Sequence, residues 1–313
     1  MKATKRLKLA AEFAGLKCLV LLLRLMPWGL AVKSGELLGL LISRFTPKRF
    51  KRTKRDIQKA FLEKSPAQVE EIARESFKNV GRMSAEFVKA AYLSKEALLK
   101  KIEFRNTEEA LRYHNQGKGA IMHIGHFVNW EIIGLAAGYM LDKVAFVARP
   151  QSNKAVDEML TKMRTSTGGT MINAYNPFFS SFKMIKKGYM IGILSDQSSL
   201  SEAALCMNFL GRPAEVAPMT AVLAIKMDIP VFPIRPTREG GKIIIEVQPP
   251  LYPPPGGYND KNIYDFTRTL MDKYEEWIRL SPQDWLWGHN RWKREKQALA
   301  KMQAQAAATE PEK

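Results

Sequence analysis

From about residue 100 onward the chain alternates between short apolar runs and segments whose apolar positions recur at helical spacing. Strand-like stretches fall at 101–105, 120–124, 144–148, 170–172, 190–194, 231–234 and 242–247. Helical stretches fall between them at 107–116, 130–141, 154–166, 177–187 and 217–227. A strand followed by a helix and another strand closes most readily as a crossover, and crossovers place their strands parallel. The expected fold is therefore α/β, a mostly parallel central sheet flanked by helices. The Pro-rich loop 249–255 ends this core, and 262–280 reads as one further helix. No internal repeat is present.

The rest of the chain divides around that core. Residues 1–45 read as membrane-associating helices, 46–95 as a basic linker and helical segment, 96–295 as the α/β domain and 296–313 as a polar tail. Ser65-Pro66 opens the helix of the second segment, with Pro at its first position, and the apolar pattern carries it to about Tyr92.

Charge is distributed unevenly. The chain has a formal net charge of +18, and residues 1–64 hold 16 basic residues against 4 acidic ones. Apolar stretches at 9–16, 18–23, 25–32 and 37–42 lie among these charges, interrupted by Glu12, Lys17, Arg24 and Lys33 and broken at Pro27. None reaches the roughly 18 uninterrupted apolar residues of a membrane span, and no small-residue cleavage site follows a compact apolar core. Amphipathic helices in the interface fit better, with the run Arg44–Arg55 beside an anionic leaflet. A single-pass anchor is the alternative. The expected partner of the basic surface is an anionic membrane, not a nucleic acid. Cys18 and Cys206 have neither a disulfide framework nor metal-ligand spacing, which suits a reducing cytoplasmic setting.

The stretch Ala120-Ile-Met-His-Ile-Gly-His126-Phe-Val-Asn-Trp-Glu131 is the first candidate for chemistry. A neutral imidazole is well matched to taking a proton near neutral pH, and a carboxylate on its far nitrogen fixes the tautomer. Five residues on a continuous helix turn the chain by about 500°. His126 and Glu131 can therefore meet only if His126 sits on the turn before the helix and Glu131 in its first turns. Gly125 permits the turn and Asn129 is placed to cap the helix. His123 reads as packing or support.

Ligands in α/β sheets gather at the carboxyl ends of strands. Two further strand ends empty into polar groups, Arg149-Pro150-Gln151 and Ser195-Asp196-Gln197. Arg149 suits a phosphate or a thioester oxygen gaining charge, and an Arg149–Asp196 ion pair is the structural alternative. Phe209–Ala214 reads as a turn in which Arg212 could meet a phosphate. Trp277, Trp285, Trp287 and Trp292 read as core and membrane-edge packing. His289 is a rival base without a carboxylate at local spacing. There is no Gly-x-Ser-x-Gly elbow and no nucleotide-binding glycine motif.

In that order, His126-Phe-Val-Asn-Trp-Glu131, Arg149-Pro150, Ser195-Asp196-Gln197, Phe209-Leu-Gly-Arg-Pro-Ala214 and Trp285-Leu-Trp-Gly-His-Asn-Arg-Trp292 resemble the bacterial lipid A biosynthesis acyltransferases. The similarity also covers Arg52–Phe61 and Ser76–Gly81, and runs over roughly residues 30–295. It implies a transferase of the wider glycerolipid-acyltransferase fold at the cytoplasmic face of the inner membrane. Such an enzyme moves a fatty acyl chain from acyl carrier protein, or less readily coenzyme A, onto a hydroxyl of a lipid A precursor, without metal or cofactor. Lysophospholipid, glycolipid or aminolipid acceptors are the alternative. By position, His126 is the general base and Glu131 its partner, with Arg149, Asp196, Gln197 and Arg212 as substrate-binding candidates. Departures from the family pattern fall at Val128, where Gly is usual, at Asp56 and at Gly288.

Overall fold

A computed structural model describes residues 3–198 and 203–309. Four helices lead the chain: α1 (Ala3–Leu25), α2 (Trp28–Phe45), α3 (Pro47–Ala60) and α4 (Pro66–Ala90). The break expected at Pro27 separates the first two. The basic run, read as a linker, is instead the helix α3, because Pro47 starts it and Phe50, Thr53, Ile57 and Ala60 recur at helical spacing on its packed side. Ser65 caps α4 in a capping box with Gln68, an arrangement worth about 1 kcal/mol.

Then follow α5 (Lys95–Leu99), β1 (Ile102–Arg105), α6 (Glu108–Asn115), β2 (Ala120–Ile124), α7 (Trp130–Met140), β3 (Val144–Ala148) and α8 (Lys154–Arg164). The chain continues through β4 (Thr170–Asn173), α9 (Pro177–Lys186) and β5 (Met190–Leu194). A hairpin, β6 (Leu205–Phe209) and β7 (Arg212–Val216), precedes α10 (Met219–Met227), β8 (Val231–Glu239), β9 (Lys242–Val247), α11 (Asp260–Leu280) and α12 (Glu295–Thr309).

Seven strands form one sheet in the order β1-β9-β8-β2-β5-β3-β4. β8, β2, β5, β3 and β4 run parallel, while β9 is antiparallel to β8 and carries β1 with it. The expected α/β class, mostly parallel with flanking helices, is what the chain adopts. β2 and β5 are buried along nearly their whole length, as apolar runs covered on both faces should be.

Two segments differ from expectation. The turn at Leu210-Gly211 is correctly placed, with both residues at positive φ, but it joins two paired strands in which Phe209 faces Arg212. The polar tail is also docked over part of its described length. Ala298 of α12 is fully buried, and Arg294 and Lys301 bond the buried Glu215 of β7. Residues 310–313 lie outside the described residues, as do 1–2 and 199–202.

The N-terminal layer is bound to the domain through small residues. A Cβ on Gly35 would overlap the Gly81 carbonyl, and one on Gly39 the Phe77 carbonyl, so the backbones of α2 and α4 touch. The opposite sides of α1 and α2 leave Leu21, Leu22, Leu25, Leu30, Leu37, Leu41 and Phe45 exposed. No helix among the described residues is long and apolar enough to cross a membrane.

Candidate active site

Chain reversals to either side of the sheet meet between β2 and β5, the position where ligands of open α/β sheets collect. In the parallel ladder Ile124 pairs with Leu194. His126 and Asp196 each lie two residues beyond that last pair, so the register brings them side by side. His126 Nδ1 is 2.7 Å from Asp196 Oδ1. An ionised carboxylate only accepts, so Nδ1 carries the proton and Nε2 presents its lone pair.

Asp196 is wholly buried and its two oxygens are fully engaged. Oδ2 accepts from the Trp285 indole N–H at 2.7 Å, the Gln197 amide at 3.1 Å and the His126 backbone N–H at 3.2 Å. Burial works to raise this carboxyl. The His126 imidazole and the hydrogen bonds from His126 and Trp285 outweigh it, and the group is held at about 2.

The strand ends are tied from below by Tyr274 of α11. Its hydroxyl donates to the Ile124 carbonyl at 2.7 Å and accepts the Ser195 N–H at 3.3 Å. His123 stacks on that ring and donates Nε2–H to the Leu270 carbonyl at 3.0 Å. Burial pulls its pKa down to about 4, so it is neutral and supporting, as expected. Gly125 matters for space: a Cβ there would press into the rings of Phe127 and Tyr274.

From the other side, the segment after the 3-10 turn Pro282–Asp284 closes over His126. Leu286 N–H donates to the His126 carbonyl and Val128 N–H to the Asp284 carbonyl, both at 3.0 Å. Ser76 and Asn79 of α4 hold that segment through the Trp285 and Gln283 carbonyls. Val128 sits at φ 47° here, left-handed backbone that costs a β-branched residue about 1–2 kcal/mol. A narrow crevice remains beside the imidazole, lined by Ser76, Asn79, His126, Val128, Trp130 and Asp284 among others.

The expected partner of His126 is corrected. Glu131 does lie in the first turn of α7, and Asn129 caps that helix by accepting the Ile132 N–H at 3.0 Å. Yet the Glu131 carboxylate is gripped by Arg164 of α8, with Nε at 2.9 Å and Nη2 at 2.5 Å. The cause is that Nδ1 faces the neighbouring strand, not the helix, so Asp196 takes it. Asp196 consequently orients the imidazole; it neither awaits substrate nor pairs with Arg149, and Gln197 spends its amide on the same carboxylate. Arg149 stands exposed one residue beyond β3, on the far side of β5.

Arg212 is likewise not available to a phosphate. Its side chain is nearly buried, forks onto Glu295 with two bonds of 2.9 Å, meets Asp56 at 3.2 Å and covers the Trp292 ring. It locks the β6–β7 hairpin to α3 and α12. Trp277, Trp285, Trp287 and Trp292 are all buried in the core. The polar roles of Trp285, Ser76 and Asn79 were not read from the sequence, where nothing local distinguishes them from packing residues. His289 is lowered, chiefly by burial, and none of the carboxylates that hold the site bonds its ring.

An α/β sheet that ends in a buried carboxylate–imidazole pair, with no serine hydroxyl bonded to the imidazole among the described residues, defines a class in which a base can activate a bound hydroxyl directly. The particular family follows from comparison: the family described as Bacterial lipid A biosynthesis acyltransferase matches residues 2–294, nearly the whole chain, and this chain belongs to it. It is an enzyme that transfers acyl groups, and its acceptor class is lipid A. No curated protein matches the chain.

Proposed function

We propose that the protein moves a fatty acyl chain from the thioester of acyl carrier protein to a hydroxyl of a lipid A precursor at the cytoplasmic face of the inner membrane. His126 is the general base and Asp196 its orienting carboxylate. The observation that carries this reading is the 2.7 Å contact between His126 Nδ1 and buried Asp196, with the other edge of the ring toward the crevice.

The chemistry balances without a covalent enzyme intermediate. An alcohol is far too weak an acid to ionise at neutral pH, so Nε2 removes its proton as the oxygen attacks the thioester carbonyl. That assistance is worth roughly 10²–10⁴-fold. The C–O bond forms, the carbonyl oxygen takes the negative charge, and collapse expels the carrier's thiolate, which recovers the proton from the imidazolium. A thiol with a pKa near about 8.5 leaves readily. Arg149, exposed at the strand end next to β5, supplies positive charge for the carbonyl oxygen or for an anionic substrate group.

Support for membrane association comes from the exposed leucines of α1 and α2, continuous in sequence with the basic α3. Apolar side chains would enter the acyl boundary while Lys48, Arg49 and Lys51, all exposed, meet anionic headgroups. The same cationic surface suits an acidic carrier protein.

Mass spectrometry of lipids from cells with and without the protein tests this directly. Lipid A should lack one acyl chain without the protein and regain it with the wild type but not with His126→Ala. Unchanged lipid A with altered phospholipid would transfer the activity to another acceptor, and full activity of His126→Ala would remove the base.

A further inference from the structure

Four donors converge on Asp196, and they are not equivalent. Oδ1 is engaged by the imidazole alone. Oδ2 takes the other three, of which the Trp285 indole at 2.7 Å is the shortest. The Gln197 amide sits on the adjacent residue and is only partly buried, while the His126 N–H is set by its own strand end. Among the described donors Trp285 is the one that belongs to neither of the two strand ends, and it is almost completely buried.

Its position is fixed on several sides. Trp285 pairs with Phe127 in an antiparallel bridge, and the next residue's N–H holds the His126 carbonyl. Ser76 Oγ bonds the Trp285 carbonyl at 2.9 Å, anchoring it to α4. The indole ring packs edge-on against Trp287, with ring centres 4.7 Å apart. A side chain this constrained has little freedom to release its N–H from the carboxylate.

We propose that Trp285 is a positioning residue of the transfer reaction: its indole N–H pins Asp196 Oδ2, reserving Oδ1 for His126 Nδ1 and thereby holding the imidazole in the tautomer that can accept a proton at Nε2. The inference rests on the reading of His126 as base. A buried carboxylate deprived of this donor has an unmet acceptor and turns to recover a partner, which costs the imidazole its alignment. Trp285 does not touch the reacting atoms and acts only through Asp196.

The test uses the full-length protein in detergent with an acyl-carrier-protein thioester and lipid A precursor. Trp285→Phe removes the N–H along with part of the ring. Because that variant can also disturb packing, a second protein carries 3-benzothienylalanine at position 285, which keeps the bicyclic shape and replaces N–H by sulfur. For both, kcat should fall about 10- to 100-fold, as for a lost hydrogen bond to a charged group, with KM changing less than about threefold. Nitrogen-15 NMR of the His126 ring should show a wild type protonated at Nδ1 and a mixture of tautomers in the isosteric variant.

An isosteric variant with unchanged kcat and unchanged tautomer overturns the proposal. So does a fall in kcat with the tautomer intact, since that would be packing alone. If Trp285→Phe fails to fold, the isosteric protein decides by the same criteria. The ring measurement needs no turnover. A wild type that transfers no acyl group, yet shifts its tautomer on loss of the indole N–H, would refute the assigned reaction and leave the positioning role standing.

Discussion

The strand-end site and the N-terminal helical layer use apolar side chains in opposite ways. Around His126 and Asp196 the rings of Phe127, Tyr274 and Trp285 are turned inward, and Trp285, Tyr274, Ser76 and Asn79 all spend a donor on the site. In α2 the inward side is stripped to Ala31, Gly35 and Gly39 so that its backbone touches α4, while most leucines of α1 and α2 point out. A water-soluble domain rarely leaves a contiguous face of that kind. The site is thus built for a fixed geometry, and the layer leaves its leucines uncovered, the face we propose for membrane attachment. They are joined mechanically, because α4 carries both the glycine contact with α2 and the residues that hold the segment over His126.

The largest effect should come from breaking the site without changing its shape. Asp196→Asn should lower kcat by about 10³–10⁴, since an amide facing Nδ1 favours the wrong tautomer. Glu131→Gln should stay within about tenfold, because it loosens the Arg164 contact and leaves the base intact. Steady-state rates of the two variants separate the observed partner from the one the spacing suggested; the reverse ranking would restore Glu131.

A smaller effect tests the layer. Leu37→Ser with Leu41→Ser removes two exposed leucines of α2. At roughly 1.5–3 kcal/mol for a fully buried leucine and partial immersion here, binding to anionic vesicles should weaken by about 10- to 100-fold. Flotation assays would measure it, and the thermal transition should stay put because neither side chain packs the interior. Unchanged flotation would remove this face as the attachment surface.

The smallest effect sharpens the contrast from within the core. His123, wholly buried, is depressed to about 4 from an ordinary value of 6.5. The unfolded chain therefore takes up the proton first as pH falls. Stability tied to this residue is complete above about pH 6.5 and declines as pH drops toward 4. An NMR titration should find the His123 ring neutral at pH 5.5. Asp196, depressed to about 2, adds stability above its unfolded value near 3.8 that is lost as pH falls through about 2. The two windows are separate, so acid unfolding can distinguish them.

Much of the architecture was legible in the sequence because it depends on local rules. Apolar runs at 120–124, 144–148 and 190–194 became strands with the expected ends, Pro27 divided two helices, and Asn129 capped a third. The site's location was legible too, since His126, Arg149 and Asp196 fall at the ends of β2, β3 and β5, which are neighbours in the sheet. The basic segment around Arg49 hid its helix because charge dominated its pattern, and α12 hid its docking because Ala298 and Lys301 look like tail residues until β7 is beside them.

What the sequence by itself determined is therefore most of the elements and the strand ends where His126 and Asp196 stand. Only the tertiary structure decided which carboxylate meets the His126 imidazole. Glu131 is near His126 along the chain, but Nδ1 faces the neighbouring strand and Arg164 from α8 claims the carboxylate. Asp196 is 70 residues away, yet parallel pairing of Ile124 with Leu194 sets it beside the imidazole. Strand register is a relation between distant segments, fixed by burying both faces of the sheet at once, and no local spacing contains it.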